Sequence, residues 1–310
     1  MKAVRYHSYG DSDVLVYEDA DRPAAGAGQV VVKVAGTAFN PLDVAIRAGF
    51  VQQMFPVAFP HIPNYDVAGI ATDVGEGVSG WSVGDPVVAF LPVTAPGAAA
   101  EYAAAPAEAL AAAPRAVELA DAAALPSAGL TAWQSLFEHA SLEAGQSILV
   151  NGAGGAVGGY AVQLARQAGA TVTATASARS LDRIRSYGAD RIIDYTATPL
   201  RQAVAGQQFD VVLNLVRTGP EETAELAGLA ADAGAFVSTT FPDLDDAGRG
   251  VRTVKVFARS DAVQLAELVA RADAGELKID VTGRRPLTDL AAVHDEAVAG
   301  GLPGKTVLIP

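Results

Sequence analysis

Residues 150–159 read VNGAGGAVGG, five glycines in ten positions directly after the apolar run Ser147-Ile148-Leu149-Val150. Glycine is costly to order, so this density needs a backbone reason. Two are available: a flexible connector, or a tight turn against something bulky. The stretch that follows, VGGYAVQLARQAG (157–169), places Val157, Ala161, Leu164 and Ala165 on one helical face. A glycine turn between a strand and a helix can hold a pyrophosphate on the N–H groups at the helix start, with small residues letting the backbone approach. Gly152, Gly155 and Gly158 are spaced three apart. The G-x-G-x-x-G fingerprint fits badly, because counting from Gly152 puts Val157 at its third glycine; the related (A/G)-x-x-G-x-x-G turn fits. Gly152, Gly155, Ala156 and Val157 are the candidate phosphate-facing positions. A glycine run alone is about as consistent with a structural turn, so its surroundings decide.

Those surroundings alternate. From residue 147 the sequence predicts strands at 147–150, 171–176, 191–194, 211–216 and 235–240, with helices over 156–168, 180–187, 198–205 and 221–233 between them. The strands are apolar runs, as a parallel sheet covered on both faces requires. Placed at the first strand-to-helix turn of such a series, the glycines favour a dinucleotide. Before residue 120 the pattern is different: short strands at 1–6, 14–18, 29–35, 67–74 and 86–91, turn formers between them, and one short helix at 40–49. Asn40 caps that helix, Pro41 occupies its first position and Gly49 stops it. From about 256 come a helix at 261–274, a strand near 278–282, a helix at 288–299 and a strand at 305–309. This tail is too small for its own core and is expected to pack on the first segment.

The end of the second strand of the series distinguishes the two nicotinamide dinucleotides. A carboxylate there binds the ribose 2′-hydroxyl of NAD and repels a 2′-phosphate. Here the strand ends in Ser177-Ala178-Arg179, with no carboxylate until Asp182. Arg179 can fork onto a phosphate, which favours NADPH; a capping serine beside a solvated arginine is the plainer alternative. Tyr195, after the third strand, either closes the adenosine-phosphate pocket or packs at a strand end.

Composition removes several function classes. Lys and Arg total 22 against 35 Asp and Glu, a formal net charge of −13. Nucleic acid and anionic membranes are therefore poor partners. There is no cysteine, so disulfides, thiolate metal sites and thiol nucleophiles are out. The start, MKAVRYHSYG, has no apolar signal region, and the expected location is cytoplasmic.

Four segments, in order, resemble the zinc-free quinone oxidoreductase branch of the medium-chain dehydrogenase/reductase superfamily: AFNPLDVAIRAG (38–49), YDVAGIATDVGEGVSGWSVGDPVVAF (65–90), LPSAGLTAWQSLFE (125–138) and VNGAGGAVGGYAVQLARQAGA (150–170). The closing GKTVLIP (304–310) is similar too. The resemblance implies an α/β protein of two domains: a GroES-like β-barrel domain from 1–120 and 258–310, and a Rossmann doubly wound parallel sheet over 121–257 that binds NADPH. It places Asn40 and Thr131 near the nicotinamide, Val216, Ser238 and Thr239 along the cofactor's other side, and implies a homodimer, with 235–240 as the joining edge strand. It also implies what is missing. Zinc-containing relatives carry a Cys where this chain has Asn40 and a His where it has Tyr65. The four histidines (His7, His61, His139, His294) are scattered, and no metal is expected.

Without a Lewis acid, oxidising an unactivated alcohol lacks its usual route to an alkoxide. A quinone or an α,β-unsaturated carbonyl accepts hydride directly, and the resulting enolate needs only a hydrogen-bond donor and a proton. Tyr65 is the candidate donor, with a wall role as the alternative, and Asn40 is either a helix cap or a group facing the reacting atoms. Asp43, Arg47 and Asp66 read as a supporting polar cluster. Phe50, Phe55, Phe59 and Phe241 suggest either an aromatic-lined site for a small apolar quinone or enone, or plain core. The expected activity is NADPH-dependent reduction of such an acceptor. A tailoring enoyl or enone reductase and a non-catalytic NADPH-binding protein are the alternatives.

Overall fold

The computed structural model describes residues 1–240, 244 and 247–310. Contacts divide the chain into two compact units, 1–127 with 259–310, and 128–258. Each forms its own sheet and core.

In the first unit seven strands form one sheet, ordered Gly283–Pro286, Thr306–Ile309, Gln29–Ala38, Asp66–Val74, Pro86–Phe90 and Leu110–Ala112, with Tyr102–Pro106 also paired to Gln29–Ala38. The ten-residue strand Gln29–Ala38 is the hub. Its first half pairs with Tyr102–Pro106, its last residues pair with Thr306–Ile309, and Asp66–Val74 runs antiparallel along its length. That pairing draws the chain's last strand into the first segment's sheet. Val4, Phe39, Ala99, Leu287, Leu290, Val293 and Leu308 form one apolar cluster that draws on both segments. Lys2–Arg5 and Val16–Asp19 pair separately as a hairpin.

One expectation fails here, and two strands form where none was expected. No strand forms over 278–282; it lies at Gly283–Pro286, where Arg284 donates to the Asp121 carboxylate from an edge position. Two arginines and a proline disguise a strand that is fixed by its partner. The alanine-rich strands Tyr102–Pro106 and Leu110–Ala112 carry no periodic signal and were not expected.

The second unit is a six-stranded, all-parallel sheet ordered Arg191–Asp194, Thr171–Ala176, Ser147–Asn151, Phe209–Asn214, Ala230–Ser238 and Arg252–Lys255. Numbered by chain position the order is 3-2-1-4-5-6, the doubly wound arrangement, whose direction of winding reverses between the first and fourth strands. Leu149, Phe209, Val212, Leu226 and Phe236 lie in one buried cluster of this unit. The helix expected over 221–233 stops at Ala227 with Gly228 as its cap, and Ala230–Ser238 has already begun. Small alanines serve either conformation, and pairing with Phe209–Asn214 decides. The expected edge at 235–240 is also corrected: Arg252–Lys255 lies outside it, so Ala230–Ser238 is flanked on both sides. Four residues, two of them basic, gave that outer strand no sequence signature.

Candidate active site

Parallel strands place all their C-terminal ends on one side of the sheet, and in the second unit six loops meet there. Asn151 Nδ2 donates to Asn214 Oδ1 at 3.0 Å across the first and fourth strands, and Thr175 Oγ1 donates to Asn151 Oδ1 at 3.0 Å. The Gly152 N–H in turn donates to Thr175 Oγ1 at 2.8 Å. This chain of bonds fixes the start of the glycine turn. Gly152 has φ +93°, and a Cβ there would lie 2.8 Å from the Val216 side chain. At Gly158 a Cβ would lie 2.4 Å from the Gly152 carbonyl oxygen, so that glycine lets the helix pack on its own turn.

Gly155 differs. It caps the helix Ala156–Gln167 with no side-chain bond, and a Cβ would meet only the Gly152 oxygen at 3.5 Å. Its outer side is open, and the helix's first N–H groups have no side-chain cap. A small-residue turn leading into a twelve-residue helix fits a pyrophosphate, with Gly155, Ala156 and Val157 supplying the backbone face.

Ser177 and Arg179 follow Thr171–Ala176. Arg179 is exposed and has no ion pair or hydrogen bond among the described residues. Four residues later, in the helix Leu181–Ser186, Arg183 donates to the Gly154 carbonyl oxygen at 2.6 Å, tying the second strand-to-helix connection to the glycine turn. Arg183 was not singled out from the sequence, since one of two arginines in SLDRIRS carries no distinctive spacing. Tyr195 is exposed at the end of the third strand. Val216 is partly exposed, and its carbonyl accepts from Asn214 Nδ2 and Thr240 Oγ1, each at 3.0 Å. Ser238 is buried, and the Thr239 N–H donates to the Asn214 carbonyl. Thr131 lies in the helix Pro126–Trp133. Gly152, Gly155, Ala156, Val157, Ser177, Arg179, Tyr195, Val216, Ser238 and Thr239 thus converge at one edge of one sheet.

In the first unit the centre is Asp66, fully buried at the start of its strand. Its Oδ2 accepts from Asn40 Nδ2 (2.9 Å), Lys305 Nζ (3.0 Å) and Ser127 Oγ (2.6 Å), and its Oδ1 from the Ser127 N–H (2.7 Å). Asn40 Oδ1 also accepts from Lys305 Nζ at 2.5 Å, while Asn40 Nδ2 reaches the Ala38 carbonyl at 3.3 Å. Both amide hydrogens of Asn40 therefore have acceptors inside the protein, which turns its side chain inward; as expected, its backbone starts the helix Pro41–Arg47. Lys305 and Ser127 were not singled out from the sequence. One signal existed for Lys305: a lysine opening an apolar strand in a chain with only five.

Asp43, three residues into that helix, accepts from the Asn40 N–H (2.9 Å) and the Asn64 N–H (3.1 Å). Complete burial outweighs these bonds and raises its carboxyl to about 7. Tyr65 is buried with its ring 5.3 Å from that of Phe90. Burial, then the Asp43 and Asp66 charges, hold its phenol well above the ordinary range, so it stays protonated. His61 packs edge-on to Tyr6, and burial lowers it to about 4. Arg47 does not join the expected polar cluster: its Nε and Nη1 are buried without hydrogen-bond partners. Phe50 and Phe59 are exposed and Phe55 is half-buried, while Phe241 lies outside the described residues.

Among the described residues no cluster of three or more His, Cys, Asp or Glu could hold a metal ion, and no helix is long and apolar enough to cross a membrane.

Two family models match the chain: "Alcohol dehydrogenase GroES-like domain" over residues 26–115 and "Zinc-binding dehydrogenase" over 187–308. Together with the doubly wound sheet and its glycine turn, they define an oxidoreductase of the two-domain type that uses a nicotinamide cofactor. The chain is 31% identical over 327 residues to a chloroplast envelope quinone oxidoreductase homolog of Arabidopsis thaliana, covering 100% of this chain and 98% of that one. It is 40% identical over 227 residues to a chloroplastic NADPH-dependent alkenal/one oxidoreductase of the same plant, covering 70% and 57%. The solved quinone oxidoreductase of Coxiella burnetii superposes with a TM-score of 0.90 at 27% identity, covering 100% and 99%. The chain belongs to the quinone oxidoreductase branch of the medium-chain dehydrogenase/reductase superfamily.

Proposed function

We propose that this protein is an NADPH-dependent reductase of quinones or α,β-unsaturated carbonyls that works without zinc, as a cytoplasmic homodimer. In this reading residues 1–120 with 258–310 form the catalytic domain and 121–257 the cofactor domain. The observation that carries it is the buried Asn40–Asp66–Lys305 group. Asn40 stands where zinc relatives have a thiolate and Tyr65 where they have an imidazole, and the nearest carboxylate already holds an ammonium at 3.0 Å. An amide, a phenol and a paired carboxylate make a poor zinc donor set, and the ammonium would repel a cation.

Bound nicotinamide supplies the hydride. The chain's own residues do the rest. Gly152, Gly155, Ala156 and Val157 offer backbone to the pyrophosphate, and Arg179 meets the 2′-phosphate with no competing protein partner. Ser177 and Tyr195 flank that phosphate; Thr131 lies near the nicotinamide, and Val216, Ser238 and Thr239 lie along the cofactor's other side. Tyr65, kept protonated by burial, donates a hydrogen bond to the carbonyl oxygen of the acceptor and then a proton. Asn40 positions Asp66 and Lys305 beside it. The alkenal/one relative supports both the cofactor and the acceptor class.

Stopped-flow mixing of the protein and NADPH with a panel of quinones and enones tests this directly. Oxidation of NADPH by at least one acceptor, several-fold faster than NADH, is expected. Binding without oxidation by any acceptor would make the chain a nucleotide-binding protein, and one zinc per chain by elemental analysis would overturn the metal-free chemistry.

A further inference from the structure

Beside Tyr65 the first unit has a small, partly open pocket with about 10 Å³ of space, the size that admits one water. Its lining includes Tyr6, Asp43, His61, Asn64 and Tyr65. Asn64 is buried with φ +66°, and neither its amide oxygen nor its amide nitrogen has a hydrogen-bond partner. The Tyr6 and His61 rings meet edge-on beside it, with centroids 5.3 Å apart. An orphaned buried amide costs on the order of 1–3 kcal/mol. Five of the eleven lining residues carry groups that can donate or accept, and a water held there needs two to four such partners.

We propose that Tyr6, His61 and Asn64 hold one ordered water between Asp43 and Tyr65, and that this water relays a proton from the Asp43 carboxyl to the Tyr65 phenol. The relay rests on the proposed reduction of an enone or quinone. After hydride reaches the acceptor, the Tyr65 O–H bond breaks and its proton joins the enolate or quinol oxygen. The water gives a proton to the phenolate oxygen and takes one from the Asp43 carboxyl, which is recharged from solvent. One proton enters per turnover and no electrons pass through the relay.

The groups facing Asp43 are consistent with this direction of transfer. The Asn40 and Asn64 N–H groups bond its two oxygens, and the Asp66 and Lys305 charges act on it in opposite senses. Tyr6, His61 and Tyr65 complete the wall, with Arg47 one turn further along the helix. Burial leaves Asp43 able to carry a proton near neutrality, and Tyr65 a far weaker acid, so transfer from Asp43 to a tyrosinate runs downhill.

Two kinds of measurement test it. On the chain without cofactor, a high-resolution crystal structure is expected to show one ordered water bonded to Asn64 and at least two other lining groups, and ¹³C-aspartate NMR to show one carboxyl titrating near 7. With NADPH and an accepted enone, kcat is expected to fall as pH rises through that value. Asn64→Gly suits the positive φ and removes the amide, and Tyr6→Phe removes one hydroxyl without changing the packing volume. Each should lower kcat about tenfold, enlarge the solvent isotope effect and leave the NADPH dissociation constant alone. A dry pocket, or wild-type pH profiles and isotope effects in both variants, would overturn the relay. If no acceptor oxidises NADPH, the proposed function fails, while the water and the Asp43 titration still decide whether the site exists.

Discussion

Lys305 Nζ lies 3.0 Å from Asp66 Oδ2, an ion pair buried on both sides and closed by residues 239 apart in sequence. Each charge is tolerable only because of the other and the surrounding hydrogen bonds. Lys305→Met is therefore expected to cost about 3–5 kcal/mol, because it strands a buried carboxylate. Adding Asp66→Asn should restore part of the loss. Urea unfolding of the two variants and the wild type measures both effects, and an undiminished midpoint in Lys305→Met would show that the pair contributes nothing.

Two glycines of the turn predict opposite phenotypes. At Gly158 a Cβ meets backbone at 2.4 and 2.5 Å, so Gly158→Ala should lower Tm by several degrees, on the scale of about 1–3 kcal/mol for overpacking. At Gly155 a Cβ has room, so Gly155→Val should leave Tm near the wild-type value and abolish NADPH binding. Calorimetry and fluorescence titration separate stability from affinity. Wild-type affinity in Gly155→Val would mean that no phosphate approaches that residue.

The same contrast marks what could be read from the sequence. The glycine turn, its strand and its helix were legible because spacing, apolar runs and the helical face are local properties. Thr171–Ala176 and Arg191–Asp194 form within their expected bounds for the same reason. Asn40 was legible as a cap, since Asn-Pro opening an apolar helix is a local signal. Its side-chain environment was not. Lys305 and Ser127 reach Asn40 only through the pairing of Gln29–Ala38 with Thr306–Ile309 and through the approach of 127 to the start of Asp66–Val74. Nothing local in GKTVLIP says that its lysine is buried. Arg252–Lys255 and Gly283–Pro286 were hidden likewise, as strands whose composition is polar and whose partners alone define them.

Acid stability should depend on two histidines. Burial lowers His61 to about 4; burial and the Arg47 charge lower His294 to about 3. Both are depressed in the fold, so their contribution is present above the unfolded value near 6.5 and is lost as pH falls towards the folded ones. Asp43 has the opposite sign. Raised to about 7, it contributes below its unfolded value of 3.8, and that contribution is lost as pH rises to about 7. Between about pH 4 and 6.5 two positive slopes meet one negative slope, each at most about 1.4 kcal/mol per pH unit. Stability should therefore fall on acidification, and His61→Phe should flatten the profile in that window. Urea midpoints from pH 5 to 7 check this; a profile as steep as wild type in His61→Phe would remove His61 from the account.

Arg179 and Arg183 sit four residues apart at the same connection and should fail differently. Arg179 is exposed with no protein partner among the described residues, so Arg179→Ala is expected to change stability by less than about 0.5 kcal/mol. Its effect should fall on the 2′-phosphate: KM for NADPH rises about tenfold or more, and KM for NADH stays put, the loss of one charge-assisted bidentate contact. Arg183 instead holds the Gly154 carbonyl at 2.6 Å, inside the turn that faces the pyrophosphate common to both nucleotides. Arg183→Ala should weaken NADPH and NADH by similar factors. Steady-state kinetics with both nucleotides give the ratio directly. Equal losses in Arg179→Ala would move 2′-phosphate recognition away from that residue, and a selective NADPH loss in Arg183→Ala would assign it to Arg183.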